Sequence, residues 1–224
     1  MKDSQQLSEK TCNLRMTAIK TLLAYAADES VDIMAFYVNS KAIKGLVVPK
    51  KEIEYFEDEQ LKILFAAPTG ETKLERRNRM ILILGYDAAL RVSELIDLTV
   101  ASLYIDAEVP YITVLGKGTK YRNVPLMNRT IEHLRVYLKE FHLQKKMELP
   151  LFYAVTHGFK HPLSDDTIQD VLKKYAQISR NTVCMPETVH FHMLRKTRAM
   201  DLHQSGCPLS YIQQETYLNE LRSM

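Results

Sequence analysis

The chain of 224 residues has room for one ordinary domain with a small appendage, and its 46% hydrophobic and 25% charged residues are typical of a soluble globular protein rather than a disordered one. Its three cysteines lie far apart, which argues against a disulfide framework and a zinc site, and the longest apolar run, residues 80–84, is too short to cross a membrane. The cysteine pattern therefore predicts a protein of the reducing cytoplasm. The formal net charge of +3 permits a polyanionic partner without requiring one.

The first part of the chain is predicted to be helical. Apolar side chains recur at helical spacing in residues 8–27 and again in residues 33–43. A proline and two lysines then interrupt the pattern. We therefore interpret residues 1–46 as a small helical unit, residues 47–54 as a linker and residues 55–224 as the main domain.

The main domain is predicted to be mostly helical with one small antiparallel sheet, that is, an α+β fold that is mainly α. Helical spacing covers five segments, residues 55–66, 72–89, 130–141, 165–177 and 189–204. Between the second and third of these, Tyr111–Leu115 and Arg122–Pro125 are short extended runs that flank the glycine-containing segment GKGTK. This arrangement predicts a β-hairpin with a glycine-assisted turn.

Arg91 is the first residue that could carry chemistry. It lies in an otherwise apolar stretch, ALRVSEL at residues 89–95, which we expect to be helical and largely buried. A desolvated guanidinium needs a carboxylate or a phosphate partner, and Glu94 follows within helical reach. The stretch taken alone fits an internal Arg–Glu pair at least as well as a phosphate-binding site.

Lys117 is the second such residue, because a lysine between two glycines at a hairpin tip is exposed and can swing into a neighbouring cleft. Lys120 and Arg122 add positive charge beside it. A solvated turn is the simpler interpretation of this segment on its own.

His192 and Arg195 form the third candidate. They are three residues apart on a predicted helix and therefore face the same way, as do Arg195 and Arg198. A histidine beside an arginine is a poor metal site, but the pair offers two donors to one phosphate. A helix with a basic, solvated face is the alternative.

Together these segments resemble the signature of the tyrosine recombinase (phage integrase) family, which has an arginine in an A-x-R-x-S-E-L-like helix, a lysine in a G-K-G-x-K-x-R-x-V-P-L-like hairpin and an H-x-L-R-K/H-T helix. The three motifs stand here, in the family's order, at residues 89–95, 116–126 and 192–197. The resemblance covers about Phe56 to Gln213, and residues 8–45 look like the end of the family's helical core-binding domain.

The resemblance implies a DNA strand transesterification through a 3′-phosphotyrosine bond, without a metal or any other cofactor. It implies that Arg91 and Arg195 clamp the phosphate, that His192 is a third donor and that Lys117 is the general acid. Glu94 would hold the active-site arginine or histidine in position without taking part in the reaction itself.

The resemblance also implies partners. Double-stranded DNA would be bound largely through phosphate contacts by Lys120, Arg122 and Arg198, so that affinity depends strongly on salt. Recombination joins two DNA sites, which implies an assembly with other protomers on DNA.

The C-terminal part departs from the family pattern. No L-G-H/W motif follows the H-x-L-R helix, so the second histidine or tryptophan of the family's site has no candidate. Tyr217 is our choice of nucleophile, although it follows His192 by only 25 residues, about three helical turns fewer than the family pattern. A deleted loop, an omitted loop or a chain that ends before the nucleophile would each account for this difference.

Three functions therefore compete. The first is a site-specific recombinase or integrase. The second is a non-catalytic DNA-binding relative that keeps the phosphate clamp without the nucleophile. The third is an enzyme similar to type IB topoisomerases, which shares the chemistry but relaxes supercoils without a partner site.

Overall fold

The structure is a computed structural model that describes residues 7–49, 53–116, 120–144 and 146–216. The chain divides into two compact units, with the boundary between residues 52 and 53. This boundary falls inside the segment that sequence analysis interprets as a linker.

The first unit is a helical hairpin of α1 (Glu9–Glu29) and α2 (Val31–Ala42). The Ser8 side chain caps α1 by accepting a hydrogen bond from the Thr11 N–H, and Ser30 is the single residue between the helices. After α2 the chain runs back to α1. There the Asn13 side chain donates a hydrogen bond to the Leu46 carbonyl at 2.8 Å and accepts one from the Leu46 N–H at 2.7 Å. Only Cys12, Ala27 and Ser40 are buried among the described residues of this unit.

The second unit confirms the predicted α+β, mainly α fold. Its elements are, in chain order, α3 (Asp58–Ala66), α4 (Lys73–Asp87), α5 (Val92–Ile96), β1 (Leu103–Tyr104), β2 (Tyr111–Leu115), β3 (Tyr121–Pro125), α6 (Asn128–Phe141), β4 (Tyr153–Thr156), β5 (Phe159–Pro162), α7 (Asp165–Ser179), α8 (His192–Gln204) and α9 (Leu209–Thr216). A large apolar cluster runs through this unit, and α4 lies within it, packed against α6 and α8. Among the described residues, no helix is long and apolar enough to cross a membrane.

The predicted hairpin is present as β2 and β3, which pair antiparallel in a three-stranded sheet with β1 at the edge of β2. Side chains alternate between the two faces of a strand, and Ile112, Val114 and Val124 are buried on one face. Arg122 is opposite Val114 in the register and two residues from Val124. It therefore lies on the buried face of the sheet, whereas its neighbours Tyr121 and Asn123 are exposed.

A second hairpin, β4 and β5, is absent from the sequence-based expectations. Its two turn residues, His157 and Gly158, have φ angles of 51° and 81°, as the mirror-image turns that join hairpin strands require. The burial pattern does not alternate along β5, whose four residues are all exposed. A search for alternation could not find such a strand.

The helix predicted for residues 72–89 is present as α4 but ends slightly earlier. α4 ends at Asp87, and Ala89 takes a left-handed conformation with φ 47°. The Leu90 N–H donates to the Gly85 carbonyl and the Ala89 N–H to the Tyr86 carbonyl, the hydrogen-bond pair of a Schellman helix end. The chain therefore turns before Arg91, which is the N-cap of the short helix α5.

The start of α8 also differs from the prediction, since the helix begins at His192 and not at Val189. The preceding residue, Phe191, is fully buried, and its N–H donates to the Gln169 side chain on α7 at 3.0 Å. A Cβ added to Gly85 on α4 would collide with the Phe191 ring. This close approach of α4 fixes the point at which α8 begins.

Candidate active site

Arg91, Glu94, Arg122 and Arg195 are brought together in the second unit by α5, β3 and α8. Arg91 and Glu94 are the N-cap and third residues at the start of α5, and the Glu94 Oε2 atom accepts a hydrogen bond from the Arg91 N–H at 2.8 Å. The turn that ends α4 places both next to the buried face of the sheet, from which Arg122 projects.

Glu94 is the centre of the cluster. Its Oε1 atom accepts from the Arg91 Nη1 atom at 2.7 Å and from the Arg122 Nη1 atom at 2.8 Å. Its Oε2 atom accepts from the Arg122 Nη2 atom at 3.0 Å and from the Arg195 Nη1 atom at 3.3 Å. One carboxylate thus orders three guanidinium groups, and Arg122 contacts it in a bidentate manner.

The three arginines differ in exposure. The Arg195 side chain is fully buried and that of Arg122 is 10% exposed, whereas that of Arg91 is 38% exposed. The stretch 89–95 is largely buried as expected, but Arg91 itself is partly exposed, because the turn after α4 places it at the edge of the cluster. The cluster has a buried base and an open side at Arg91.

Electrostatics keep these groups charged. Burial alone would raise the pKa of Glu94, but the hydrogen bonds from Arg122 and from the Arg91 N–H, with the charges of Arg122 and Arg195, lower it to about 2. Burial lowers the pKa of Arg195 to about 10, against the opposing effect of Glu94. At neutral pH Glu94 is an anion and Arg195 a cation.

Arg195 retains unused hydrogen-bonding capacity. Its Nη1 atom donates to the Ala89 carbonyl at 2.6 Å and to Glu94. Its Nε and Nη2 atoms are buried and have no hydrogen-bond partner within the described parts of the chain. Buried donors of a charged group are costly to leave unsatisfied, so this site favours an anion with acceptor oxygens.

The other predicted residues occupy different places. His192 is the first residue of α8, one turn before Arg195, and is partly exposed. Lys120 is exposed at the start of the strand that carries Arg122. The predictions for Lys117 and Tyr217 fall outside the described residues.

Arg198 lies one turn beyond Arg195 but belongs to a separate polar group that sequence analysis missed. Its Nη2 atom is 3.6 Å from the buried Asp87 Oδ1 atom, and its guanidinium lies over the Tyr86 ring. Tyr86 donates to Asp201 at 2.5 Å. The Arg198 side chain is only 20% exposed, so most of it packs inside the protein. The sequence did contain an indication of this polar group, because Asp201 follows Arg198 by three residues and therefore lies on the same side of the helix.

Residues 54–216 match the model of the phage integrase family. The chain belongs to the phage integrase family. The match covers the three sequence motifs and all the arginines of the cluster around Glu94, so this cluster lies in the integrase part of the chain.

Relatives and solved structures agree with this membership. The chain is 29% identical over 213 residues to the tyrosine recombinase XerC of Staphylococcus haemolyticus, covering 94% of this chain and 67% of that protein. It is 29% identical over 208 residues to the putative integrase/recombinase y4rC of Sinorhizobium fredii, covering 92% of this chain and 61% of that protein.

Two solved structures show the integrase fold. The Tn1549 transposon integrase in complex with circular intermediate DNA superposes with a TM-score of 0.72 at 15% identity, covering 96% of this chain and 73% of that chain. The XerH site-specific recombinase bound to its difH substrate superposes with a TM-score of 0.61 at 21% identity, covering 80% and 53%. The chain thus spans about half the length of XerH.

Proposed function

We propose that this chain is the catalytic part of a site-specific DNA recombinase or integrase that cuts and rejoins DNA through a 3′-phosphotyrosine intermediate. The observation that carries the proposal is the buried Arg195, whose Nε and Nη2 donors lack a partner among the described residues, beside the open guanidinium of Arg91. Three arginines around one carboxylate leave a net charge of +2 at this point. Such a site suits a phosphodiester whose negative charge grows in the transition state.

The proposed reaction divides one exchange into two reversible steps. The hydroxyl oxygen of a tyrosine, for which Tyr217 is our candidate, attacks phosphorus while its proton passes to water, and the bond from phosphorus to the 5′-oxygen breaks. Arg91, Arg195 and His192 donate to the non-bridging oxygens, and Lys117 gives a proton to the leaving 5′-oxygen. The reverse attack by a 5′-hydroxyl reseals the strand and releases the tyrosine.

The proposed partner is double-stranded DNA. The Tn1549 integrase and XerH structures are complexes with DNA, and the fold is shared with both. We assign phosphate contacts to the exposed Lys120 and expect the affinity to fall steeply with salt. We also propose a cytoplasmic location and a synaptic assembly of several protomers on DNA, with Leu218 and Leu221 near the C-terminus as docking residues.

A covalent-adduct assay tests the proposal. The chain is incubated with nicked suicide DNA duplexes drawn from the target sites of related recombinases, and the products are separated on a denaturing gel. A DNA-linked band that disappears in the Tyr217→Phe variant is expected. Binding without an adduct, also for a longer version of the protein, would favour a non-catalytic DNA-binding relative. Relaxation of a plasmid without any special site would favour a topoisomerase.

A further inference from the structure

We propose that Arg122 is a positioning residue that ties the β2–β3 hairpin to the arginine cluster through Glu94, and that it is not a ligand of DNA phosphate. The inference rests on the proposed function and refines it, since the sequence motif alone suggested that Arg122 contacts DNA.

The direction and burial of the side chain are the first argument. Arg122 projects from the buried face of the sheet, in register with Val114 and on the same face as Val124. Both terminal nitrogens of its guanidinium are engaged with Glu94, at 2.8 and 3.0 Å, whereas the Nη2 atom of Arg195 has no hydrogen-bond partner among the described residues. A phosphate that approached the edge of the guanidinium that faces Glu94 would have to displace this carboxylate.

The geometry of Glu94 is the second argument. Arg122 occupies one site on each carboxylate oxygen, and these are the oxygens that bind Arg91 and Arg195. A bidentate partner fixes the plane of the carboxylate, which a single hydrogen bond cannot do. Loss of Arg122 would remove two of the five hydrogen bonds that hold the carboxylate, so that Glu94 would position the guanidinium groups of Arg91 and Arg195 less firmly.

The hairpin is the third argument. The Gly116 N–H donates to the Lys120 carbonyl at 2.8 Å and so closes the segment that contains Lys117 in the sequence. A Cβ added at Gly116 would lie 3.7 Å from the Arg122 Nη1 atom, which places the hairpin backbone against the guanidinium. Arg122 therefore links the strand that follows this segment to the carboxylate that orders the clamp.

Lys120 provides a matched comparison because it is two residues from Arg122 on the same hairpin but is exposed. The dissociation constant of the full chain for a 30-base-pair duplex of arbitrary sequence would be measured at several salt concentrations. A residue that neutralises one phosphate contributes about 0.9 to the slope of log K against log salt. We expect Lys120→Gln to reduce the slope by about this amount and Arg122→Gln to leave it unchanged. A reduced slope for Arg122→Gln would overturn the inference.

Cleavage supplies the second readout. Arg122→Gln is expected to slow adduct formation about 10- to 100-fold, because misplaced catalytic groups lose rate more than affinity. Arg122→Lys should recover only part of this loss, since an ammonium cannot bind both carboxylate oxygens in one plane. The double variant Arg122→Gln/Glu94→Gln should be no slower than the slower single variant.

The outcomes separate the two hypotheses. When the wild-type chain forms the adduct, two results would overturn the positioning role. These are multiplicative losses of rate in the double variant and full activity of Arg122→Gln. No adduct with the wild-type chain would count against the proposed function, while the salt slopes would still decide whether Arg122 is a phosphate ligand.

Discussion

At the scale of single residues, the arginine cluster around Glu94 contains one solvent-accessible arginine and two that are almost completely buried. Arg91 is the accessible one, and its Nη1 atom is already held by Glu94 at 2.7 Å. The remaining donors of its planar guanidinium can address two oxygens of a phosphate, which a lysine ammonium cannot do with the same geometry.

We therefore expect Arg91→Lys to slow adduct formation by about 100-fold or more, comparable with the loss of one oxyanion donor. DNA affinity should change little, because the positive charge is retained. Single-turnover cleavage and equilibrium binding would be compared for both proteins. Arg135→Lys is the control, because Arg135 is 52% exposed and pairs with an exposed Asp106. Equal losses of binding and cleavage would argue against a clamp role for Arg91.

Glu94 makes stability depend on pH. Its pKa is lowered in the folded protein from 4.5 to about 2, so its stabilising contribution is complete above about pH 5 and is lost as the pH falls towards 2. The difference corresponds to about 3 kcal/mol. Glu94→Gln should lower the free energy of unfolding by about this amount at pH 7, since it leaves buried arginines without a counter-charge.

Urea unfolding of the wild-type chain and of Glu94→Gln between pH 7 and pH 3 would check this expectation. The two curves of free energy against pH should converge on acidification, because protonated Glu94 resembles glutamine. Glu71→Gln, which changes an exposed carboxylate, is the control. Parallel curves for wild type and Glu94→Gln would contradict the assigned cause.

The sequence predicted part of this site. The Arg91–Glu94 pair and the facing positions of His192 and Arg195 follow from spacing on a helix or at its start. The low exposure of Arg122 was not predicted, because its charged neighbours suggested an exposed turn. Alternation with the buried Val124 would have placed Arg122 on the inner face. The convergence on Glu94 needs the tertiary structure, since β3 and α8 are distant in sequence.

At the scale of elements, the end of α4 determines where Arg91 and Arg195 meet. Ala89 adopts φ 47° there, and its carbonyl accepts from Arg195 at 2.6 Å. A left-handed conformation costs a residue with a Cβ about 1 to 2 kcal/mol, whereas glycine adopts it freely.

Ala89→Gly is therefore expected to stabilise the protein by about 0.5 to 1 kcal/mol, after allowing for the greater freedom of glycine in the unfolded chain. Thermal unfolding would measure the change. Ala88→Gly is the matched control, because Ala88 has φ −84° and gains nothing from glycine. A destabilised Ala89→Gly variant would show that the methyl group contributes more by packing than it costs in backbone strain.

Gly85, one turn earlier on α4, is expected to respond in the opposite way. A Cβ there would overlap the ring of Phe191, the residue that precedes His192. Gly85→Ala should thus cost about 1 to 3 kcal/mol of stability and displace the start of α8. Unfolding and cleavage assays on Gly85→Ala would test this, and the smaller side chain in Gly85→Ala/Phe191→Leu should restore part of both. An unaffected single variant would contradict the close packing.

Periodicity found most elements of the second unit, because its helices bury one face and its central strands alternate. It misplaced the boundaries at Ala89 and His192, where a left-handed residue and a tertiary contact with Gly85 end or begin a helix. It missed β4, which is buried only at its start, and β5, which is fully exposed, because neither strand alternates. The spacing of apolar residues therefore predicted an element correctly where one of its faces is buried and the other is exposed.

At the scale of the whole molecule, the apolar core is unevenly divided. Almost all of the buried hydrophobic residues belong to the second unit, whereas in the described part of the first unit only Cys12 and Ala27 are buried hydrophobic residues. Several large apolar side chains of the first unit are exposed, among them Leu14, Leu22 and Phe36. Helices that bury so few side chains gain little stability from packing, which supplies most of the stability of helices in proteins.

The second unit should therefore unfold almost independently of the first. A fragment of residues 53–224 is expected to have a thermal midpoint within about 3 °C of that of the full chain, which corresponds to less than about 1 kcal/mol. The full chain should lose the helical signal of the first unit at lower temperature, before the main transition. Calorimetry and circular dichroism on both proteins would measure the two quantities. A midpoint about 10 °C lower for the fragment would mean that the first unit contributes about 3 kcal/mol to the stability of the second.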